Sequence, residues 1–240
     1  MPSALAGWPL TVAAGAAAGI PVVASTVRAV RVGWEPTDDK AIIATRAYDV
    51  LTGHTPLVGQ YSEAGYLIGQ PTHDLGPMLY WLLALPARLG NPAGMAVTMG
   101  IVNLAAVLAT VALARRCGGR PLMLATAAAI PVMCMSLAAE TFHDIWNPAV
   151  ALFPFLLLIF LCWSVACGEA RLLPLAVLVA SFVATPAPRG SARGIGLVSG
   201  VPVAGMFDRD AREVCGVRAL RRGPAAGRRR VAHGHHHGRV

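Results

Sequence analysis

The feature that most constrains this chain is a series of continuous apolar blocks that leave no polar face. They lie at residues 5–27, 93–114, 122–138, 149–167 and 172–183, the last cut short by a change of composition. A helix that crosses a bilayer needs about 17 to 25 apolar residues, whereas a soluble amphipathic helix keeps one polar face. The blocks therefore predict an all-α fold, a polytopic transmembrane helical bundle of about five spans.

Composition and the first block support a membrane protein. Only 13% of the residues are charged, whereas a soluble domain carries about 25%. The first block has no basic residue before it, and no clear A-x-A cleavage site precedes a soluble domain; a secretory signal peptide would have both. We therefore expect an uncleaved first helix.

A long polar stretch, residues 31–92, separates the first two blocks. It holds six of the nine acidic residues in the first 184 positions, which are Glu35, Asp38, Asp39, Asp49, Glu63 and Asp74. Within it, 39–51 is typical of a short amphipathic helix that stops at Gly53, and 76–89 of an apolar helix too short to span. We expect both as juxtamembrane helices at the interface.

The basic connectors predict the orientation of the chain in the cell membrane. Two short connectors hold most of the basic residues outside the long loop, at Arg115, Arg116, Arg120 and Arg171. The positive-inside rule places them in the cytoplasm, so the long loop and residues 140–148 are extracytoplasmic. Arg28 and Arg31 would then lie outside, which counts against this orientation, and a spanning 76–89 helix would invert it.

The net charge of +8 comes entirely from the end of the chain. Residues 1–184 carry nine basic and nine acidic residues, and 185–240 carry eleven arginines and three acids. The tail is rich in Arg, Gly, Pro and Ala, which predicts a disordered basic segment. Its histidines could bind a metal and its arginines nucleic acid or anionic lipid, but we expect no nucleic-acid partner. A frameshift in GC-rich DNA, truncating a longer membrane protein, suits the abrupt change better.

Polar side chains gather in three clusters at the predicted outer face. The first is the acidic pair Asp38 and Asp39, at the start of a predicted helix, where capping alone would explain one aspartate. The second is His73 with Asp74, ahead of Tyr80 and Trp81, which are typical of an aromatic belt at the interface.

The third cluster lies between two apolar blocks, in AAETFHDIWNP. It contains Glu140, His143, Asp144, Trp146 and Asn147. Carboxylates and histidines held at a membrane surface can act as general bases or bind a substrate. Three such clusters at one face indicate an interfacial active site.

The order of these features is similar to a known family. GWEPTDDKAIIATRAYDVLTG, THDLGPMLYWLLALPARLG and ARRCGGR resemble the amino-terminal part of the polyprenyl-phosphate-sugar-dependent membrane glycosyltransferases of the C-type superfamily. Protein mannosyltransferases and lipid A aminoarabinose transferases are members. The resemblance covers roughly residues 5–184 and implies transfer of a sugar from a polyprenyl-phosphate donor to an extracytoplasmic acceptor.

The resemblance also implies roles for single residues. Asp38 and Asp39 match the catalytic base or acceptor-binding carboxylate and its acidic neighbour, and Asp144 matches a polar position in the second outer loop. The other substrate-binding candidates are His73, Asp74, Tyr80, His143 and Asn147. The leaving phosphate requires a cation or a divalent metal ion near His73, Arg28 or Arg31, and no metal ligands are assigned.

The sequence departs from the family pattern in two ways. The basic residue that usually precedes the Pro-Pro-Leu-Tyr-Tyr-Trp-like segment is missing, and carboxy-terminal helices and an outer domain are absent. An inactive remnant therefore stays open as an interpretation. The rival class is a transporter or non-catalytic membrane subunit, but transporters place ionisable groups at the bilayer midplane, and here they lie in loops. The expected partners are the lipid bilayer and the polyprenyl-phosphate sugar donor, and no soluble protein partner is expected.

Overall fold

The computed structural model describes residues 8–62, 72–73 and 76–183. The predicted tail at 185–240, the first residues of the first apolar block and the candidate Asp74 lie outside this part of the chain. All statements below concern the described residues.

The described chain is predominantly helical. Its helices are α1 (Trp8–Val32), α2 (Asp39–Asp49), α3 (Pro77–Arg88), α4 (Pro92–Met135), α5 (Asn147–Ala166) and α6 (Leu173–Val183), with 3-10 turns at Ala139–Phe142 and Ala170–Leu172. Two short antiparallel strands, β1 (Tyr61–Ser62) and β2 (Thr72–His73), pair Tyr61 with His73. The helices α2 and α3 overlap the short helices expected at 39–51 and 76–89.

Three helices, α1, α4 and α5, are long and apolar enough to cross a membrane. The predicted block 93–114 and residues 122–135 of the next block fall within α4, and the last block forms α6, which has only 11 residues. Three of the described helices are thus long and apolar enough to span, and α4 alone covers two of the about five spans that the sequence predicted.

Helix α4 reverses direction at Gly119. This residue has φ 73° and ψ −156°, a conformation open to glycine because it has no Cβ. Asn103 Nδ2 donates a hydrogen bond of 3.0 Å to the carbonyl of Phe142. A straight helix would carry Met135 about 48 Å from Asn103 at about 1.5 Å per residue, and the chain could not return by Phe142. The arms 92–118 and 120–135 are therefore antiparallel.

Glycines allow α1 and the first arm of α4 to approach closely. A Cβ on Gly15 or Gly19 would collide with Leu108 or Leu104, and one on Gly100 would collide with Thr26 Oγ1. Small residues at such positions let spanning helices pack backbone to backbone. Since higher residue numbers in α1 meet lower ones in α4, the two helices are antiparallel.

The antiparallel order fixes which connections share an end of the bundle. The connection from α1 to α4, residues 33–91, leaves and returns at one end, so α3 does not add a crossing. The connection from α4 to α5 leaves from that same end because α4 folds back at Gly119. The long polar stretch and the 136–146 segment therefore lie together.

A second apolar cluster holds the short helices against this end. Ile43 of α2 and Leu79, Tyr80 and Leu83 of α3 pack with residues at the starts of α4 and α5. In addition, Arg88 donates two hydrogen bonds, of 3.1 Å and 2.6 Å, to the Val50 carbonyl. Helices α2 and α3 thus form a packed unit beside the spanning helices.

Candidate functional site

A pocket with acidic walls lies where the two connections meet. Its volume is about 390 Å³, and we call it the acidic pocket; it is lined by Thr37, Asp38, Asp39, Lys40, Ala138, Glu140, Thr141, Asp144 and Trp146. One wall is the start of α2, and the other is the segment between α4 and α5. The fold therefore brings the first and third sequence clusters together, although about a hundred residues separate them.

Asp38 adopts an unusual backbone conformation at the edge of the pocket. Its φ is 52° and its ψ is −128°, a region where residues with a Cβ are strained by roughly 1–3 kcal/mol. It occupies the N-cap position of α2, but its side chain makes no capping hydrogen bond. The capping role that the sequence allowed for this aspartate is therefore not seen.

Lys40 joins the two walls of the pocket. Its Nζ lies 2.8 Å from Asp144 Oδ2, with side-chain exposures of 24% for the lysine and 8% for the aspartate. The other carboxylate oxygen, Asp144 Oδ1, accepts a hydrogen bond of 3.2 Å from the Trp146 backbone N–H. Both oxygens of Asp144 are thus engaged within the described chain, and its substrate-binding role stays a prediction.

Sequence reasoning missed Lys40 as a site residue. Two signals were present: it is the only lysine of the chain, and it directly follows the acidic pair. Its partner could not be found from the sequence because the pairing depends on how α2 lies against a segment far along the chain. Among the residues that line the pocket, Lys40 is the only cation.

Three carboxylates in the pocket stay open to solvent. Asp38, Asp39 and Glu140 are exposed, as is the Trp146 side chain beside them, at 46%. A carboxylate that is not paired can accept a proton or a substrate hydroxyl hydrogen bond. The arrangement can therefore bind a hydroxyl-bearing molecule and withdraw a proton from it.

His143 lies behind the pocket wall instead of lining it. It is 3% exposed, its Nδ1 lies 2.6 Å from Ser25 Oγ, and Ser25 Oγ donates to the Ala139 carbonyl at 2.5 Å. Because the serine has a single proton, the His143 Nδ1–H donates to it and Nε2 carries no proton. That Nε2 has no partner within the described part of the chain.

Burial keeps His143 neutral. Desolvation lowers the pKa of its imidazole below the ordinary value of 6.5, against an opposing effect of Asp144 and Glu140 and with a smaller lowering by Lys40 and Arg28. A buried, neutral histidine held by a serine of α1 is a structural anchor for the 139–146 segment. The ring does not line the acidic pocket, and its expected substrate-binding role stays a prediction.

The other candidates lie away from the pocket walls. His73 belongs to β2, with Nδ1 3.1 Å from the Gly59 carbonyl. Tyr80 is 1% exposed inside the second apolar cluster, whereas its neighbour Trp81 is 51% exposed. Asn147 begins α5, and its Oδ1 is buried without a hydrogen-bond partner in the described chain. The candidates His73, Tyr80 and Asn147 therefore do not line the acidic pocket.

The described side chains do not form a metal site. No three His, Cys, Asp or Glu residues among them are grouped so that they could hold a metal ion. Arg28 and Arg31, which were expected near the leaving phosphate, are exposed and do not line the pocket.

Searches with protein-family models, among curated proteins and among solved structures found no match to this chain.

Proposed function

We propose that this chain is a multi-pass membrane glycosyltransferase that transfers a sugar from a polyprenyl-phosphate donor to an extracytoplasmic acceptor. The observation that carries the proposal is the acidic pocket, in which Asp38, Asp39 and Glu140 are open carboxylates. The pocket lies at one end of helices long enough to cross a membrane. A lipid-linked donor and a water-soluble acceptor can meet there, with the long loop on the extracytoplasmic side.

Asp38 acts as the general base in this proposal. Its carboxylate takes the proton of an acceptor hydroxyl, and the acceptor oxygen forms a bond to the anomeric carbon of the donor sugar. The bond between that carbon and the phosphate oxygen breaks, and the polyprenyl phosphate leaves with the electron pair.

The backbone of Asp38 supports this choice over Asp39. Strained conformations persist where the surrounding structure enforces them, and they cluster at active sites. Asp39 has the ordinary position of an acid in the first turn of α2, where the helix dipole favours it. Asp38 combines strain, exposure and the absence of a capping bond.

The test is sugar transfer by the purified chain in proteoliposomes that contain a polyprenyl-phosphate sugar. Asp38→Asn removes the base at constant size, and we expect the turnover to fall about a hundredfold or more. The matched control is Asp49→Asn, at the far end of α2, which should leave turnover and expression unchanged. Wild-type turnover in Asp38→Asn would remove Asp38 from the mechanism, and substrate flux without any transfer would favour a transporter instead.

A further inference from the structure

The ion pair between Lys40 and Asp144 connects the two walls of the acidic pocket. On one side, Lys40 lies in the first turn of α2, directly after Asp38 and Asp39. On the other side, Asp144 belongs to the segment that carries Glu140 and Trp146. The ion pair, with Nζ and Oδ2 2.8 Å apart, therefore links the wall that carries Asp38 and Asp39 to the wall that carries Glu140.

Hydrogen bonds from α1 and α4 hold the segment that carries Asp144. Asn103 donates to the Phe142 carbonyl, and Ser25 bonds to both the Ala139 carbonyl and the His143 ring. These partners belong to the two long helices α4 and α1. Asp144 is thus attached to a rigid support, and its Oδ1 is fixed by the Trp146 N–H.

The start of α2 is less restrained. Ile43, Ala47 and Val50 pack in the second apolar cluster, but Asp38 and Asp39 themselves are exposed. These apolar contacts and the two hydrogen bonds from Arg88 to the Val50 carbonyl hold the middle and the far end of α2, so they do not fix its first turn. A charged hydrogen bond to a buried carboxylate is directional and short. Lys40 is the residue that can fix the position of this turn.

We infer that Lys40 and Asp144 are positioning residues, which hold Asp38 and Asp39 at a fixed distance from the Glu140 side of the pocket. The catalytic consequence rests on the proposed function, but the positional one does not. A displacement of about 1 Å of a reacting group can lower a rate by about a hundredfold. Loss of the ion pair should therefore affect turnover more than the binding of either substrate.

Charge exchange provides the test. We expect Lys40→Asp and Asp144→Lys each to lower kcat by about tenfold or more, with each KM changed by less than about threefold. The double variant Lys40→Asp/Asp144→Lys should recover most of the lost kcat, and Lys40→Arg should retain most of it. The matched control is Arg46→Asp, which reverses an exposed base on the same helix.

Hydrogen exchange separates this inference from the proposed function. In the folded chain in lipid, both single variants should exchange the amides of residues 39–43 faster, and the double variant should restore protection. Restored protection with no sugar transfer in any variant, wild type included, would support the ion pair and overturn the transferase. A double variant that is no better protected than the worse single variant would overturn the positioning role.

Discussion

At the scale of single residues, Asp38 combines an exposed carboxylate with a backbone that favours glycine. Its φ is 52° and its ψ is −128°. The change Asp38→Gly removes the clash of the Cβ, while glycine loses more conformational entropy on folding. We expect a net gain of about 1 kcal/mol in the free energy of unfolding together with loss of transfer. Chemical denaturation in detergent measures the first effect. Asp39→Gly, in an ordinary helical turn, should be destabilising, and equal losses in both variants would refute the strain.

His143 makes stability depend on pH in a defined direction. The pKa of its imidazole is lowered below 6.5 in the folded chain by burial, despite Asp144 and Glu140. Between 6.5 and the lowered pKa the unfolded chain binds more protons, so stability is full above 6.5 and falls as the pH drops through this window. The slope is at most about 1.4 kcal/mol per pH unit for one proton.

His143→Asn tests this dependence, because an amide N–H can still donate to Ser25 and does not titrate. Lys40, Arg28, Asp144 and Glu140 are unchanged in the variant, so the difference between the two stability curves reports His143 alone. We expect the free energy of unfolding of the variant to fall less between pH 7 and pH 5. Parallel curves would show that the buried ring does not set the pH response.

At the scale of elements, the packing of α1 on α4 depends on positions without a side chain. A Cβ on Gly100 would collide with Thr26 Oγ1 and lie 2.8 Å from Thr26 Cγ2. Because Thr26 is branched at Cβ, it cannot move aside easily. We expect Gly100→Ala to destabilise the chain by about 1–3 kcal/mol, measured by thermal unfolding in detergent. Gly53→Ala, with open space around it, is the control, and an equal effect would contradict the close approach.

Local sequence signals predicted the short helices well but not their partners. The apolar spacing that stops before Gly53 marks α2, and Pro77 marks the start of α3. The burial of Tyr80 could not be predicted, because Tyr80 and Trp81 have the same local pattern and only the packing of α2 distinguishes them. Likewise, Gly119 and Pro121 suggest a break between two apolar blocks, but the antiparallel arrangement of the two arms depends on contacts across the bundle.

At the scale of the whole molecule, the candidate site follows from the order of helices. The sequence indicated that polar clusters in an otherwise apolar chain share one face, and the structure brings two of them into one pocket. His73 belongs to the second cluster and does not line the pocket. The distinction rests on which connections meet at the end of α1, α4 and α5, a long-range property that residue types alone do not encode.

The antiparallel arrangement makes a prediction about sidedness that labelling can test. Gly53 and Ser136 lie in connections at the pocket end of the bundle, and Ala170 lies between α5 and α6 at the other end; all three are exposed. We expect single cysteines at positions 53 and 136, in a chain without its native cysteines, to react with an impermeant maleimide on intact cells. A cysteine at 170 should react only after permeabilisation. Labelling of only one of positions 53 and 136 on intact cells would refute the reversal at Gly119. Labelling of position 170 alone would keep the fold but place the pocket in the cytoplasm, where the proposed extracytoplasmic acceptor could not reach it.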